Sequence, residues 1–302
     1  MRRKSKKLPA LCRLFLFFAS FFFAVSWAHA DRCVADDLER QVCLGQPAER
    51  IIALSPGATE LVFAAGAGEK MVAAVSFSDY PPAARQLPHV GSYNRLDMEA
   101  ILALEPDLII AWQSGNPQTQ TEQLAAMKVP VYFSEPRRFA DISSTLERLA
   151  TLAGTEKVGQ GAADALRSGI AALRERHASA APVTVFYQIW DDPLMTVNGK
   201  HLISEAIQAC GGVNIFADLP ALAPRISAES VLGKNPEVIV AGGMGEADSS
   251  WLTRWKTFSS LQAVKRDNLF FIAPSTLQRP TPRLLLGTRS LCRHLESARA
   301  RR

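Results

Sequence analysis

Two stretches of the chain carry the same pattern: LDMEAILALEPDLIIA at residues 96–111 and ISAESVLGKNPEVIVA at residues 226–241. They align without gaps and share a glutamate, a leucine, a proline followed by an acidic residue, and a closing apolar run. A weaker similarity relates TELVFAAG at 59–66 to SEAIQACG at 204–211. Internal repeats constrain an architecture, and the spacing of these is far too long for a solenoid. They predict two similar lobes.

Each long repeat predicts a short helix followed by a buried strand. Asp97 and Ser227 are expected helix N-caps, because their side-chain oxygens accept otherwise unpaired backbone N–H groups. Pro106 and Pro236 end the helices, since proline lacks the N–H that a helix interior needs. The closing apolar runs are typical of parallel strands that are buried on both faces.

The rest of the chain continues this alternation. Further apolar runs predict strands at Ile51–Leu54, Met71–Val75, Val129–Phe133, Val183–Ile189 and Leu269–Ala273. Helical patterns lie between them, which favours βαβ units. We therefore predict an α/β fold of two similar Rossmann-like lobes.

A long helical pattern separates the two repeats. Apolar residues recur every three or four positions through Thr155–Ala178, and no proline follows until Pro182. One helix over these residues would be about 36 Å long and would join the lobes as a stiff spacer. The alternative, a surface helix packed within one domain, stays open.

The predicted organisation is a signal peptide at 1–30, an N-terminal lobe with an N-terminal hairpin at 31–154, a backbone helix at 155–181 and a C-terminal lobe at 182–302.

Residues 1–30 predict a secretory signal peptide. They hold six basic and no acidic residues, an apolar stretch from Leu14 to Trp27, and the small-x-small sequence Ala28-His29-Ala30 that signal peptidase recognises. The apolar stretch has 14 residues, whereas roughly 20 are needed to span a bilayer, which disfavours the alternative of a retained anchor. Cleavage near Ala30 predicts a soluble, exported protein.

The basic charge of the chain belongs to this leader. The whole sequence has 34 Lys and Arg residues against 29 Asp and Glu, and removal of residues 1–30 leaves 28 basic residues, so the mature chain has a formal net charge of −1. This disfavours a nucleic-acid partner. A hydrophobic content of 48% indicates an ordinary globular protein and excludes a disordered or polytopic membrane chain.

Cleavage also removes Cys12 and leaves four cysteines, an even number that suggests disulfides in an oxidising compartment. Cys33 and Cys43 bound CVADDLERQVC, which as a hairpin would place them opposite each other. Their pairing leaves Cys210 with Cys292. A metal site is the alternative, but the sequence has no CxxC motif or Cys/His cluster, so we predict no metal centre.

The sequence offers no catalytic signature. It lacks a phosphate-binding GxxxxGK[ST], a GxGxxG after a strand, an HExxH and a GxSxG elbow. We therefore predict a binding protein and not an enzyme, without a catalytic cofactor.

Bulky side chains follow the predicted strands. Phe77, Trp112 and Trp190 come just after strands, and Arg279 lies in the loop after the last one. Ligands of parallel α/β sheets bind outside the carboxyl ends of the strands. If the two lobes face each other there, these residues line a cleft for a large planar or macrocyclic ligand, with the arginine available to its carboxylate, amide or phosphate groups. The alternative is that each aromatic side chain covers its own core.

Glu99 and Glu229 occupy the same position of the long repeat, in the first turn of each predicted helix. An acidic residue there stabilises the helix through its dipole. Alternatively, two equivalent acidic points, one on each lobe, would dock onto basic residues of a two-fold symmetric partner. The residues alone leave both explanations open.

Several motifs together resemble one family. They are RIIALSPGATELVFAAG (50–66), SFSDYPP (76–82), LDMEAILALEPDLIIAW (96–112), VFYQ (185–188), ACGGVNIF (209–216), ISAESVL (226–232) and TPRLLLGTRSLC (281–292). With them the mature chain resembles the cobalamin-binding members of the periplasmic receptors that serve bacterial ABC importers of metal complexes. The resemblance implies class III architecture: two lobes, one rigid helix, and cobalamin held between the lobes with little closure.

The resemblance also implies roles for single residues. Phe77, where cobalamin receptors often have tyrosine, would contact the corrinoid, and Tyr93 matches another aromatic position. The loop from Ser275 to Arg279 matches a ligand-contacting loop, although Ser275 and Thr276 replace an acidic–aromatic pair.

Further implications concern partners and disulfides. Glu99 and Glu229 match acids that dock onto arginines of a permease dimer, for a receptor that acts as a monomer. Cys210–Cys292 matches a disulfide of the cobalamin receptors, and Cys33–Cys43 looks like an addition on an N-terminal hairpin that is common among siderophore relatives.

Two alternative functions stay open. Ala223 stands where cobalamin receptors can carry tryptophan, and Tyr93 lies near the position of an iron-ligating tyrosine in haem receptors, so haem or a ferric siderophore is the alternative ligand. An exported hydrolase or chelatase is the alternative from another functional class.

Overall fold

The computed structural model describes residues 31–243 and 245–302. The predicted signal peptide lies outside these residues. The described chain begins with an antiparallel hairpin of β1 (Arg32–Ala35) and β2 (Gln41–Leu44). Cys33 pairs with Cys43 across this hairpin, and the two form the predicted disulfide.

The N-terminal lobe is built on a parallel sheet. Its elements are β3 (Ile51–Ala53), α1 (Pro56–Ala64), β4 (Met71–Ala74), the small hairpin β5 (Gly91–Ser92) and β6 (Arg95–Leu96), α2 (Met98–Ala103), β7 (Leu108–Trp112), α3 (Gln118–Ala126), β8 (Val131–Ser134) and α4 (Phe139–Ala153). The four main strands run in the order β4–β3–β7–β8, all parallel.

One long helix, α5 (Glu156–Arg176), follows. It packs on α1 and α4 and also on helices of the second half of the chain. Its 21 residues are three fewer than predicted, because Thr155 is the cap at its start and His177 is the cap at its end, which leaves Ala178 outside the helix as well.

The C-terminal lobe repeats the plan. Its elements are β9 (Val183–Gln188), α6 (Leu202–Ala209), β10 (Gly212–Asn214), α7 (Ala228–Lys234), β11 (Val238–Ala241), α8 (Gln262–Lys265), β12 (Leu269–Phe271), α9 (Pro274–Leu277) and α10 (Leu284–Ala300). The strands run in the order β10–β9–β11–β12, all parallel.

Counted within each lobe, both strand orders are second–first–third–fourth, which confirms the two-lobed α/β prediction. The predicted N-caps are also present: Asp97 accepts from the N–H of Ala100 at 3.0 Å, and Ser227 from that of Ser230 at 3.3 Å.

Strand ends differ from the prediction by one to two residues. The strand expected from Val129 begins at Val131, because Pro130 has no N–H to give to a sheet ladder. Trp112 is the last residue of β7 and does not follow it. The prediction missed β10 altogether, a strand of three residues that begins with glycine.

The two lobes share one hydrophobic core. A single cluster of buried side chains includes Ile51 and Leu108 of the first sheet, Val183 and Val238 of the second, and Leu166 of α5 between them. Each sheet has a second cluster on its other face. The disulfide of Cys210 with Cys292 ties the end of α6 to α10.

No helix in the described part of the chain is long and apolar enough to cross a membrane.

Candidate functional site

The carboxyl ends of the strands gather most of the predicted site residues. Trp112 ends β7, Trp190 comes two residues after β9, and Phe77 comes three residues after β4. Ser275 lies in α9 and Arg279 two residues beyond it, both after β12. The parallel order of each sheet places these segments along one edge of their lobe.

Tyr93 and Trp112 form an aromatic pair. Tyr93 lies in the turn between β5 and β6, and its ring centroid is 5.7 Å from that of Trp112. The buried side chain of Asn116 holds the pair in place: it accepts from the N–H of Trp112 at 2.6 Å and donates to the carbonyls of Tyr93 at 2.7 Å and Leu54 at 2.8 Å. One amide thus joins the ends of β3 and β7 to the turn that carries Tyr93.

Phe77 is held outward by its backbone. Its side chain is 74% exposed, and its φ of +67° is in the left-handed region that phenylalanine rarely adopts. The turn is fixed on both sides, since the N–H and hydroxyl of Ser76 bond the carbonyl of Gly91, and the N–H of Ser78 bonds that of Val75. A strained residue that presents an apolar ring to solvent is typical of a binding surface.

Trp190 belongs to a separate aromatic pair. Its indole N–H donates to the carbonyl of Asp192 at 3.0 Å, and its ring lies edge-on to Trp251, with the centroids 5.9 Å apart. Both partners are in the C-terminal lobe. Within the described residues, the predicted aromatic side chains therefore form two separate pairs: Tyr93 with Trp112 in the N-terminal lobe, and Trp190 with Trp251 in the C-terminal lobe.

Arg279 links the lobes through an ion cluster. Its Nη1 lies 2.9 Å from Oε1 of Glu60 in α1 and 3.0 Å from Oδ1 of Asp79. Burial alone lowers the pKa of this guanidinium, but its hydrogen bonds to the two carboxylates and their charges produce a net rise. The positive charge of Arg279, which the sequence analysis expected to face the ligand, is therefore already paired with two carboxylates.

Glu60 is the centre of this cluster. Its carboxylate, 2% exposed, also accepts from Nη1 of Arg283 at 3.2 Å and from the hydroxyl of Thr281 at 2.8 Å. Nη2 of Arg283 in turn donates to the hydroxyl of Ser275 at 2.9 Å.

Ser275 is buried, and its hydroxyl donates to Glu246 at 2.6 Å. Its contact with a ligand therefore stays a prediction.

A pocket of about 110 Å³ lies between the lobes. The N-terminal lobe contributes Trp112, Glu135, Pro136 and Arg137, and the C-terminal lobe contributes Lys200, His201, Leu202, Leu222, Gln278 and Pro280. Trp112 thus lines a pocket to which residues of the opposite lobe also contribute, and its contact with a ligand stays a prediction.

The paired acids Glu99 and Glu229 are both exposed, in the first turns of α2 and α7. The backbone N–H of Glu229 and the hydroxyl of Ser227 lower the pKa of the Glu229 carboxyl. Neither glutamate has an ion-pair partner in the part of the chain that the structure describes.

The match to a family model runs over residues 51–276 and covers both sheets; that model describes a periplasmic binding protein. The chain belongs to this family. The Vitamin B12-binding protein of Vibrio parahaemolyticus is 37% identical over 257 residues, 85% of this chain and 93% of the relative. The Vitamin B12-binding protein of Yersinia pestis is 39% identical over 252 residues, 83% of this chain and 88% of the relative.

Solved structures of binding proteins share the fold. The periplasmic vitamin B12 binding protein BtuF of Vibrio cholerae has a TM-score of 0.76 and 38% identity, covering 84% of this chain and 98% of its own. The periplasmic heme-binding protein RhuT from Roseiflexus has a TM-score of 0.73 and 25% identity, covering 83% and 99%. The fold is therefore that of the class III periplasmic binding proteins.

The sequence analysis did not identify Asn116 and Glu60. Asn116 holds the Tyr93–Trp112 pair in place, and Glu60 joins the two arginines of the ion cluster. A signal for Glu60 was present in the weaker repeat, where it aligns with Glu205. The two glutamates act alike: Glu60 of the first lobe bonds arginines of the second, and Glu205 of the second lobe accepts from the N–H of Phe139 in the first at 2.8 Å.

Among the described residues, no group of three or more His, Cys, Asp and Glu side chains is placed to hold a metal ion.

Proposed function

We propose that this chain is a periplasmic substrate-binding protein that captures cobalamin between its lobes and delivers it to an ABC-type permease. The observation that carries the proposal is the 37–39% identity to two Vitamin B12-binding proteins over more than four-fifths of this chain. The family is one of solute-binding proteins, which supports a role in binding and not in catalysis.

The geometry supports a large, flat ligand. Tyr93 and Trp112 present adjacent aromatic rings at the carboxyl end of β7. Aromatic faces suit the rim and plane of a corrin macrocycle. Phe77, Trp190, Ser275 and Arg279 complete the proposed binding set, with Arg279 acting as part of its ion cluster.

The direct test is calorimetric titration of the mature, disulfide-intact protein with cyanocobalamin, with haemin in parallel. We expect one-to-one binding of cyanocobalamin that Trp112→Ala weakens at least tenfold, because the loss of a large buried side chain costs about 1.5–3 kcal/mol. The matched control is Met127→Ala, an exposed large-to-small change after α3. Heat from haemin alone would contradict the proposal.

Haem is the second candidate ligand, favoured by one observation. The phenol of Tyr93 is 40% exposed beside Trp112, within reach of a ligand at this edge. A haem receptor built on this tyrosine would show an intense Soret band that Tyr93→Phe shifts.

We also propose that Glu99 and Glu229 dock onto basic residues of a two-fold permease, one glutamate from each lobe. Their exposure and lack of ion partners among the described residues support this role. The double variant Glu99→Ala/Glu229→Ala should bind cobalamin normally and abolish uptake by cells. Glu69→Ala/Glu175→Ala, which removes two exposed carboxylates elsewhere, is the control; unimpaired uptake by the first pair would contradict the docking role.

Export and domain organisation complete the proposal. Residues 1–30 direct the chain to the periplasm and are removed near Ala30, and the mature protein acts as a monomer with an N-terminal lobe at 31–154, a backbone helix at 155–181 and a C-terminal lobe at 182–302. The intact mass of the periplasmic protein tests the cleavage site, and its sedimentation tests the monomeric state.

A further inference from the structure

The pocket between the lobes carries basic side chains from both of them. Arg137 lies in the loop between β8 and α4, and Lys200 lies just before α6, and both line the same 110 Å³ cavity beside Trp112. Both side chains are exposed, so they remain free to reach a ligand.

These two cations differ from Arg279 in their partners. Arg279 is paired with two carboxylates, whereas neither Arg137 nor Lys200 forms an ion pair among residues 31–243 and 245–302. Arg137 and Lys200 are therefore unpaired cations of the pocket in this part of the chain, whereas Arg279 is already paired.

Two acids near the pocket form hydrogen bonds of their own, Glu135 with neutral groups of Ser114 and Glu205 with the cation of Arg174. Glu135 borders the pocket, but its two oxygens accept from the N–H of Ser114 at 3.0 Å and from its hydroxyl at 3.1 Å. Glu205 bonds Arg174 at 2.5 Å and the N–H of Phe139.

His201 adds a neutral donor to the same pocket. Its Nδ1 accepts from the N–H of Ile203 at 3.1 Å, which places the proton of the neutral ring on Nε2. Burial lowers the pKa of this imidazole to about 4, so the ring stays neutral near pH 7. An imidazole in this tautomer donates a hydrogen bond and offers no lone pair for a metal.

We propose that Arg137 and Lys200, assisted by the Nε2–H of His201, bind the phosphodiester of the nucleotide arm of a corrinoid. This inference rests on the proposed function. The cavity is too small for the macrocycle, and it therefore suits an arm that projects from it. In cobalamin the ring side chains are neutral amides and the arm holds the phosphate, which guanidinium and ammonium groups bind through charge-assisted hydrogen bonds.

The test compares two corrinoids that differ in this arm. Cyanocobalamin has the phosphodiester, and dicyanocobinamide lacks it. Calorimetry measures both with the unmodified protein, with Arg137→Gln/Lys200→Gln, and with the control Lys157→Gln/Arg289→Gln, which removes two exposed cations of α5 and α10. We expect the first pair to raise the Kd for cyanocobalamin about tenfold or more, as for lost charged hydrogen bonds, and the Kd for dicyanocobinamide less than about twofold. The control should change neither.

The possible failures are distinct. Equal weakening toward both corrinoids would overturn the phosphate assignment, because it would indicate a general effect on the cleft. An unchanged Kd for cyanocobalamin would overturn it as well and leave the proposed function standing. If the unmodified protein did not bind cyanocobalamin at all, the proposed function and this inference would both be wrong.

Discussion

A change at Glu60 should measure how much the charges of the ion cluster, as distinct from its packing, contribute to the free energy of unfolding. The change Glu60→Gln keeps the shape of the side chain and removes its charge. It leaves Arg279 and Arg283, whose side chains are 22% and 19% exposed, without the carboxylate that joins them. Asp79 still faces Arg279, so one of the two guanidinium groups keeps an acid.

The expected cost follows from these contacts. Removing one partner of a buried ion pair costs about 3–5 kcal/mol. Partial exposure of both arginines and the remaining Asp79 place this case at the low end, and we expect the free energy of unfolding to fall by about 3 kcal/mol. In a chain of this size each kcal/mol corresponds to roughly 2–4 °C in Tm, so the midpoint should fall by about 6–12 °C.

Urea unfolding of the disulfide-intact protein, followed by tryptophan fluorescence, measures this difference. Glu69→Gln is the matched control, because Glu69 is exposed in the short 3₁₀ turn at Gly68–Lys70 and should change stability by less than about 0.5 kcal/mol. The reasoning would be refuted if Glu60→Gln unfolded within that same margin of the parent. A double variant with Arg283→Gln provides a second check, since residues in one network should show a coupling of about 0.5 kcal/mol or more.

Three further predictions concern other parts of the molecule. Loss of Cys33–Cys43 should lower the free energy of unfolding by about 3 kcal/mol and loss of Cys210–Cys292 by about 4.5 kcal/mol, since their loops span 10 and 82 residues. Urea titration of the paired Cys→Ser variants measures both losses, and a larger loss for the Cys33–Cys43 pair would contradict this expectation. Because burial lowers the pKa of His201 to about 4, below its unfolded value near 6.5, the unfolded chain binds the proton first and stability falls by about 3 kcal/mol from pH 7 to pH 4. His201→Asn keeps a capping acceptor and should remove that part of the pH dependence, so identical slopes for parent and variant would count against it. Phe77→Asn should stabilise the fold by about 0.5–1 kcal/mol, because asparagine tolerates a φ of +67°, while it weakens cobalamin binding; calorimetry and urea titration together test for these opposite signs.

The fold was largely predictable because its signals are local. The N-caps at Asp97 and Ser227, and the apolar runs that end each repeat, are readable within one stretch of about 16 residues. The hairpin disulfide was equally local, since Cys33 and Cys43 are 10 residues apart.

The site was only partly predictable because its contacts are distant in sequence. Arg279 forms ion pairs with Glu60 and Asp79, which are 219 and 200 residues away in sequence. No local sequence pattern indicates that its charge is already paired. Asn116 looks like any polar residue before a proline, although it joins Leu54 to Tyr93. Such residues are recognised only when the strand order brings their neighbours together.

The shared core has a practical consequence for anyone who would turn this receptor into a sensor. Buried side chains run without a break from the first sheet through α5 to the second. A rotation of one lobe would therefore have to shear close-packed atoms. A pair of dyes, one on each lobe, would consequently report little change in separation when ligand arrives. A single environment-sensitive dye beside Trp112, at the mouth of the pocket, would sense occupancy directly.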